Sequence, residues 1–303
     1  MDAADQRTQV REFLASRRAR ITPEQAGLPA FGGNRRVKGL RREEVALLAG
    51  VSIDYYIRME RGDLAGASES VLDGVANALQ LDEAEREHLF ALARSAGHPS
   101  RRTRPGPSTV RPVIQQVLDA ITEAPAWVRN ARHDILAMNA LARALYSPVL
   151  DSAVAGASGK RAANTTRFVY LDPAAREFFI DYDRIAMDAA AMLRLEAGRN
   201  PHDRDLITLV GELSTQSELF RQHWASHNVK FHRSGRKRLR HPAVGELDLC
   251  FEALELPSEP ELRLNIYTAE PHTPTADGLK LLATWGATRE ADTRDSRGAH
   301  DVR

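Results

Sequence analysis

Apolar positions along the first hundred residues recur at helical spacing and are repeatedly interrupted by turn residues. The pattern predicts a first helix from about Asp5 to Arg18, with Val10, Phe13 and Leu14 turned inward. After the loop-like stretch Ile21–Gly39, Val45, Leu48 and Ala49 mark a second helix. Gly50 breaks it, and Ser52 is placed to cap a third. On that third helix Tyr56 and Met59 continue the apolar face, while Ile53, Asp54, Ile57 and Arg58 point elsewhere. Ser68 then caps a helix carrying Leu72, Val75, Ala76 and Leu79, and Asp82 caps another from Glu83 to Ala96. Five helices ending near Ala96 make a self-standing bundle. The small Ala46 and the tight turn at Gly50 allow helices two and three to cross closely, the arrangement that places a helix in a DNA major groove.

Beyond Ala96 the pattern changes. Residues 97–112 hold four prolines and four arginines with no acid between Gly97 and Pro107, and read as a linker. Trp127–Asn130 and Asp134–Met138 then predict a hairpin with Ala131-Arg132-His133 at its turn. Asn139 starts a short helix to Leu145, and further helices are expected over Asp172–Phe179, Tyr182–Leu195, Asp203–Leu213 and Glu218–Trp224. The period then falls to two. Val229–Arg233, Lys237–His241, Leu247–Leu254 and Leu262–Tyr267 predict antiparallel strands, with Ser234-Gly235 and Pro242–Gly245 as turns. A last helix covers Gly278–Trp285, and the charged tail 288–303 is expected to be disordered. The layout predicts an α+β protein. Residues 1–96 form an all-α DNA-binding bundle, 97–112 a linker, and 113–287 a PAS-like domain with an antiparallel sheet.

Composition adds limits. The 303 residues suffice for two domains, and the net charge is only +1. Cationic groups are nonetheless concentrated from Arg17 to Arg42, where eight stand against the single acid Glu24. Beside a helix-turn-helix, such a face suits phosphate contacts and predicts salt-sensitive binding. One cysteine, Cys250, excludes an internal disulfide and reads as buried strand filler. No apolar run approaches the roughly 20 residues a bilayer span needs, so membrane insertion is not expected and a cytoplasmic location is.

Ala46, Gly50-Val51-Ser52 and Met59-Glu60-Arg61-Gly62 resemble the Xre/lambda-repressor class of helix-turn-helix regulators. Downstream, the segments Asn130–Asn139, Phe220–His227 and Tyr267–Pro271 resemble the MmyB-type ligand-binding domain of bacterial Xre-family regulators, in the same domain order. Met138 stands where many relatives carry tryptophan. The resemblance implies a transcription factor whose PAS-like domain holds a small, lipid-like molecule.

On the third helix, Arg58 is placed to pair with a guanine edge and Asp54 to accept from a cytosine amino group. Ile53 and Ile57 suit thymine methyls, and Ser52 also faces the groove. Tyr55, Arg41 and Arg42 suit phosphates. Asp54 and Arg58, four apart, equally suit an ordinary intrahelical ion pair. Arg35, Arg36 and Lys38 either track the backbone or belong to a plain surface loop. In the second domain Trp127, Met138, Tyr146, Phe179, Met187, Phe220, Trp224 and Tyr267 are candidates to line a pocket. Most such residues are ordinary core. Arg132, His227 or His241 would anchor a polar headgroup. His223 and His227 have zinc-like spacing, but no glutamate follows and a metal is not expected. No enzyme signature or cofactor motif is found. The reading is a homodimeric DNA-binding regulator on a double-stranded operator, sensing a small apolar or fatty-acid-like ligand. The alternative is a repressor whose second domain mediates only dimerisation or protein contacts.

Overall fold

The computed structural model describes residues 3–28, 37, 39–97, 109–158 and 161–298. The chain divides into two compact units that do not follow sequence order. One comprises Met1–Arg104 with Ala190–Ile207 and Gln222–Phe231, the other Pro105–Ala189, Thr208–Arg221 and His232–Arg303.

The first unit opens with α1 (Ala3–Arg20), α2 (Arg42–Ala49), α3 (Ile53–Glu60), α4 (Glu69–Ala78) and α5 (Glu83–Gly97). Local chemistry sets their ends. The Glu44 carboxylate accepts from the Arg41 amide at 2.6 Å, and Gly50, with φ +69°, closes α2 in the left-handed conformation. Ser52 and Ser68 cap α3 and α4 by accepting from the Tyr55 and Val71 amides. Asp82 and Glu85 cap α5 reciprocally. Phe13, Leu14, Val45, Tyr56, Met59, Leu72, Val75 and Leu89 form the core. Leu48, expected in that core, is instead 36% exposed, because Val45 and Ala46 already fill the face of α2 that meets the other helices.

The second unit begins with α6 (Pro112–Ala120), followed by strands β1 (Ala126–Arg129) and β2 (Ile135–Met138). Next come α7 (Ala140–Leu145), α8 (Ser147–Leu150), α9 (Thr165–Leu171), α10 (Ala174–Phe178), α11 (Tyr182–Arg199), α12 (Arg204–Gln216) and α13 (Glu218–Ala225). Strands β3 (Ser234–His241), β4 (Gly245–Glu255) and β5 (Arg263–Thr268) precede α14 (Pro274–Gly298). All pairs are antiparallel in the order β2-β1-β5-β4-β3, so the hairpin, the intervening helices and the final three strands give the α+β, PAS-like layout. Ile114 and Leu118 of α6 cover one face through Ala126, Val128, Ala137 and Leu264. Asn139 joins hairpin to α7. Its Oδ1 accepts from the Ala126 and Ala142 amides, and its Nδ2 donates to the Ile121 and Ala124 carbonyls at 2.7 and 2.8 Å.

Several expectations are corrected. Residues 229–233 are not a strand: Val229 is buried, and Phe231 half-buried, in the helical core of the first unit, where burial outweighs their β propensity. Ser234 and Gly235 are the first residues of β3 rather than a turn, paired with Glu252 and Phe251. The charged tail continues α14 to Gly298, while 299–303 lie outside the described residues. Cys250 is half-buried and pairs across the ladder with exposed Arg236, since it falls on the outward phase of β4. Of the linker, 98–108 lie outside the described residues, and α6, α8 and α9 have no counterpart in the expected elements.

The end of α11 completes the first unit. Leu195 and Val229 join the helical core. Gly198 leaves room for buried His88, since a Cβ there would lie 2.5 Å from the ring. Arg199 pairs with Glu87 at 2.7 Å and Glu196 at 3.0 Å, and Arg17 pairs with Glu85 at 2.9 Å. Burial, with Arg194 and Arg17 adding repulsion, pushes His88 down to about 3 and His227 to about 4.

Two outcomes follow. Both imidazoles stay neutral in the fold, whereas the unfolded chain protonates near the ordinary 6.5. Stability is therefore complete at neutral pH and falls as pH drops below 6.5, until the folded values near 4 and 3 are passed. Each group contributes at most about 1.4 kcal/mol per pH unit, and His88→Leu should flatten that slope in urea unfolding. Asn139→Ala removes four hydrogen bonds and should cost about 2–4 kcal/mol, a loss readable as a lowered denaturant midpoint.

Candidate functional site

The exposed side of α3 follows from what its other side must bury. Tyr56, Met59 and Glu60 are inside, with Glu60 only 2% exposed. A buried carboxylate needs donors, and Glu60 receives them from both preceding helices. Arg18 of α1 donates at 3.0 Å (Nε) and 2.7 Å (Nη2), and Arg42 of α2 donates at 2.5 Å. Arg18 also donates to the Leu40 carbonyl at 2.8 Å. The clamp fixes the rotation of α3, so Ser52, Ile53, Asp54 and Arg58 face outward, with Ile53 48% exposed and Ile57 half-buried.

Arg58 does not pair with Asp54. Its guanidinium lies 4.8 Å over the Tyr55 ring and 3.7 Å from Asp63 beyond the helix end, so the expected intrahelical pair is replaced. Stacking on Tyr55 draws the side chain along the helix, away from Asp54. Arg41, exposed, pairs with Glu43 at 3.3 Å. Arg35, Arg36 and Lys38 lie outside the described residues.

The second unit buries a different set. On the sheet face away from α6, alternation turns Trp127, Lys237, Leu239, Leu249, Phe251, Asn265 and Tyr267 inward. Tyr146, Phe168, Phe178 and Phe179 meet them. Ring centroids lie 5.3 Å apart for Trp127–Tyr146, 6.0 Å for Tyr146–Tyr267 and 6.2 Å for Tyr146–Phe178. The hydroxyls of Tyr146 and Tyr267 share a hydrogen bond of 2.6 Å, and burial followed by the Tyr267 neighbour pushes the Tyr146 phenol well up. Lys237 donates to the Tyr267 hydroxyl at 3.2 Å, and its ammonium lies 5.4–5.9 Å from the ring centroids of Phe251, Tyr267 and Phe179.

The hairpin turn delivers one more group. Asn130 Oδ1 accepts from the Arg132 and Asp134 amides at 3.0 Å, and Asn164 Nδ2 donates to Asp134 at 2.7 Å. This network holds His133 in the left-handed region at φ +66° and buried, with Nδ1 2.7 Å from the Thr166 hydroxyl. Burial, then Arg129 and Lys237, keeps the His133 imidazole neutral. Its Nε2, Trp127 Nε1 and Asn265 Oδ1 are buried without a hydrogen-bond partner among the described residues.

Residues 110–282 match the family described as the MmyB-like transcription regulator ligand binding domain, and residues 9–89 match a helix-turn-helix domain. The chain belongs to the MmyB-like transcription regulators. It is a DNA-binding transcription regulator with a ligand-binding domain. Comparison with curated proteins gave no match. No helix among the described residues is long and apolar enough to cross a membrane.

Within this MmyB-like regulator the candidate ligand residues do not all converge. Trp127, Tyr146, Phe179 and Tyr267 belong to the aromatic cluster, and Met138 pairs with Trp127 across the hairpin. Phe220 packs edge-on to Tyr170 at 5.0 Å, whereas Met187 is 43% exposed. Trp224 and His227 belong to the first unit, where Arg194 lies 4.0 Å over the Trp224 ring and Glu12 stands 3.2 Å from His227. Arg132 pairs with Asp134 at 3.2 Å, and His241 sits 3.1 Å from the Ala144 carbonyl. Each expected headgroup anchor is thus engaged elsewhere. Among the described residues no three His, Cys, Asp or Glu side chains form a metal-binding group.

Lys237 and His133 are the functional candidates absent from the sequence-derived set. Lys237 could have been found by phase: in Lys237-Arg238-Leu239-Arg240-His241 it shares the inward period with Leu239.

Replacing Glu60 with alanine should strand Arg18 and release α3, at a cost of about 3 kcal/mol. Denaturant unfolding reads the loss, and operator affinity should fall with it.

Proposed function

We propose that this regulator reads a two-half-site operator through α3 and responds to a small apolar or fatty-acid-like molecule held by the aromatic cluster of the second unit. One observation carries the ligand part: three buried polar atoms, on Trp127, His133 and Asn265, have no partner in a region otherwise built of rings. Buried polar groups are usually paired, so these three leave hydrogen bonds that a ligand can supply. An interior serving only packing or protein contacts would favour apolar residues at those positions.

For DNA, Arg58 and Asp54 read base edges and Ile53 meets a thymine methyl, while Arg41 and Arg42 fix register on phosphates. One eight-residue helix reads few base pairs, so two copies set about 34 Å apart on one duplex face supply the specificity of a homodimer. Three helices link the two functions along the chain. α11, α12 and α13 each contribute residues to both units.

Arg58→Ala should lose operator selectivity while retaining salt-dependent nonspecific binding, measured by competition binding at two salt concentrations. Unchanged selectivity would remove Arg58 from base reading. In parallel, native mass spectrometry should find a dimer with an apolar adduct that vanishes under denaturing conditions. A monomer on an asymmetric operator would overturn the dimer.

A further inference from the structure

One helix does not cover a five-stranded sheet. On its outer face α6 packs over β2, β1 and β5 through Ile114 and Leu118, and the β4–β3 half of the same face stays open. There Leu254, the ladder partner of buried Leu264, is 44% exposed, and Ile266 is half-buried. The orientation of α6 adds a wall to this floor. Gln115 donates to the Met138 carbonyl of β2 at 3.4 Å, so its flank of the helix faces the β2 side. Val113 and Val117 each stand about 200° around the helix from Gln115 and therefore face the β4 side. Both are 49% exposed. Together Val113, Val117, Leu254 and Ile266 line an open apolar groove beside the helix.

The charges beside the groove indicate what covers it. On the same face β3 presents Arg236, Arg238 and Arg240, and β4 presents Glu246, Asp248 and Glu252, so the two signs balance. Arg236 pairs with Asp248 at 2.7 Å and Arg240 with Glu246 at 2.8 Å. A balanced strip has no net attraction for a polyanion, whereas a copy turned about a twofold axis sets arginines against acids and valines against valines. The sheet edges offer less. The Ile135 amide of β2 donates to Ala163, and the Arg238 carbonyl of β3 accepts from Ile180, so chain already occupies both edges at these points. By the rise of β4 the strip is about 35 Å long, and from β3 to the flank of α6 it is about 15 Å wide. Two copies would bury roughly 1,000 Å2 between them, the size at which specific interfaces begin.

We propose that this groove is where a second copy of the chain docks, α6 beside α6, with Val113, Val117 and Leu254 at the centre and the Arg236–Asp248 and Arg240–Glu246 pairs at the rim. The proposal rests on the homodimer reading above and adds to it the surface that makes the dimer.

Sedimentation equilibrium of the full-length protein tests it. Val117→Asp and Leu254→Asp should each raise the dimer dissociation constant at least about tenfold, because a twofold contact buries the new charge twice. Leu281→Asp, at a 63% exposed position of α14, should leave the constant unchanged. All three variants should melt within a few degrees of the wild type when diluted to monomer. A collapse of melting in the groove variants would show Val117 and Leu254 to be covered within a single copy and would overturn the groove. A wild-type dimer that both groove variants leave intact, or that Leu281→Asp disrupts equally, also overturns it and leaves the homodimer standing. A wild type that stays monomeric up to its solubility limit overturns the groove and the homodimer together.

Discussion

A charge taken out of water has to meet its counter-charge inside the fold, and the buried charges of this chain meet theirs to different degrees. In the DNA-binding unit Glu60 is surrounded by Arg18 and Arg42, and Arg17 stands against Glu85. These pairs are directional, so they do what apolar packing alone cannot: they select one rotation of α3 about its axis. Apolar contacts through Tyr56 and Met59 hold the helix in, while the carboxylate decides which way its other side faces. In the ligand-binding unit the same rule applied to Lys237 finds rings and a phenol but no carboxylate among the described residues. The two interiors differ in whether the sequence itself completes the pairing.

Much of this was legible in the chain. The helix-turn-helix was readable because its determinants are local: a left-handed turn at Gly50, a cap at Ser52, and an apolar face of fixed period. The antiparallel strands β3, β4 and β5 were legible in outline because they alternate cleanly. What the sequence hid was non-local. Val229–Arg233 alternates like a strand, yet Val229 is claimed by a helical core more than a hundred residues upstream. Trp224 and His227 lie in a segment resembling the ligand-binding family, but their partners are Arg194 and Glu12 of the DNA-binding unit. Three helices contribute one end to each unit, which no local pattern announces.

The aromatic cluster of the second unit was half legible for a related reason. Aromatic residues advertise burial, so Trp127, Tyr146, Phe179 and Tyr267 were found by type. Lys237 was overlooked because lysine advertises the surface, and only its phase in β3 contradicts that. His133 was read as part of a turn. It is one, but the amide network of Asn130, Asp134 and Asn164 turns the residue inward through a positive φ that spacing cannot reveal. The expected anchors differ from Lys237 in having carboxylate partners. Arg132 and His227 already have protein partners, and a group so engaged has less to offer a ligand.

The energy scale on which such a regulator can work follows from ligand binding itself. A ligand that binds only the folded form stabilises it by about 2.7 kcal/mol when present at a hundred times its dissociation constant. Coupling between sites in allosteric proteins is typically 1–3 kcal/mol. Ligand binding in the second unit, as proposed above, is thus of the right size to bias a helix without unfolding it.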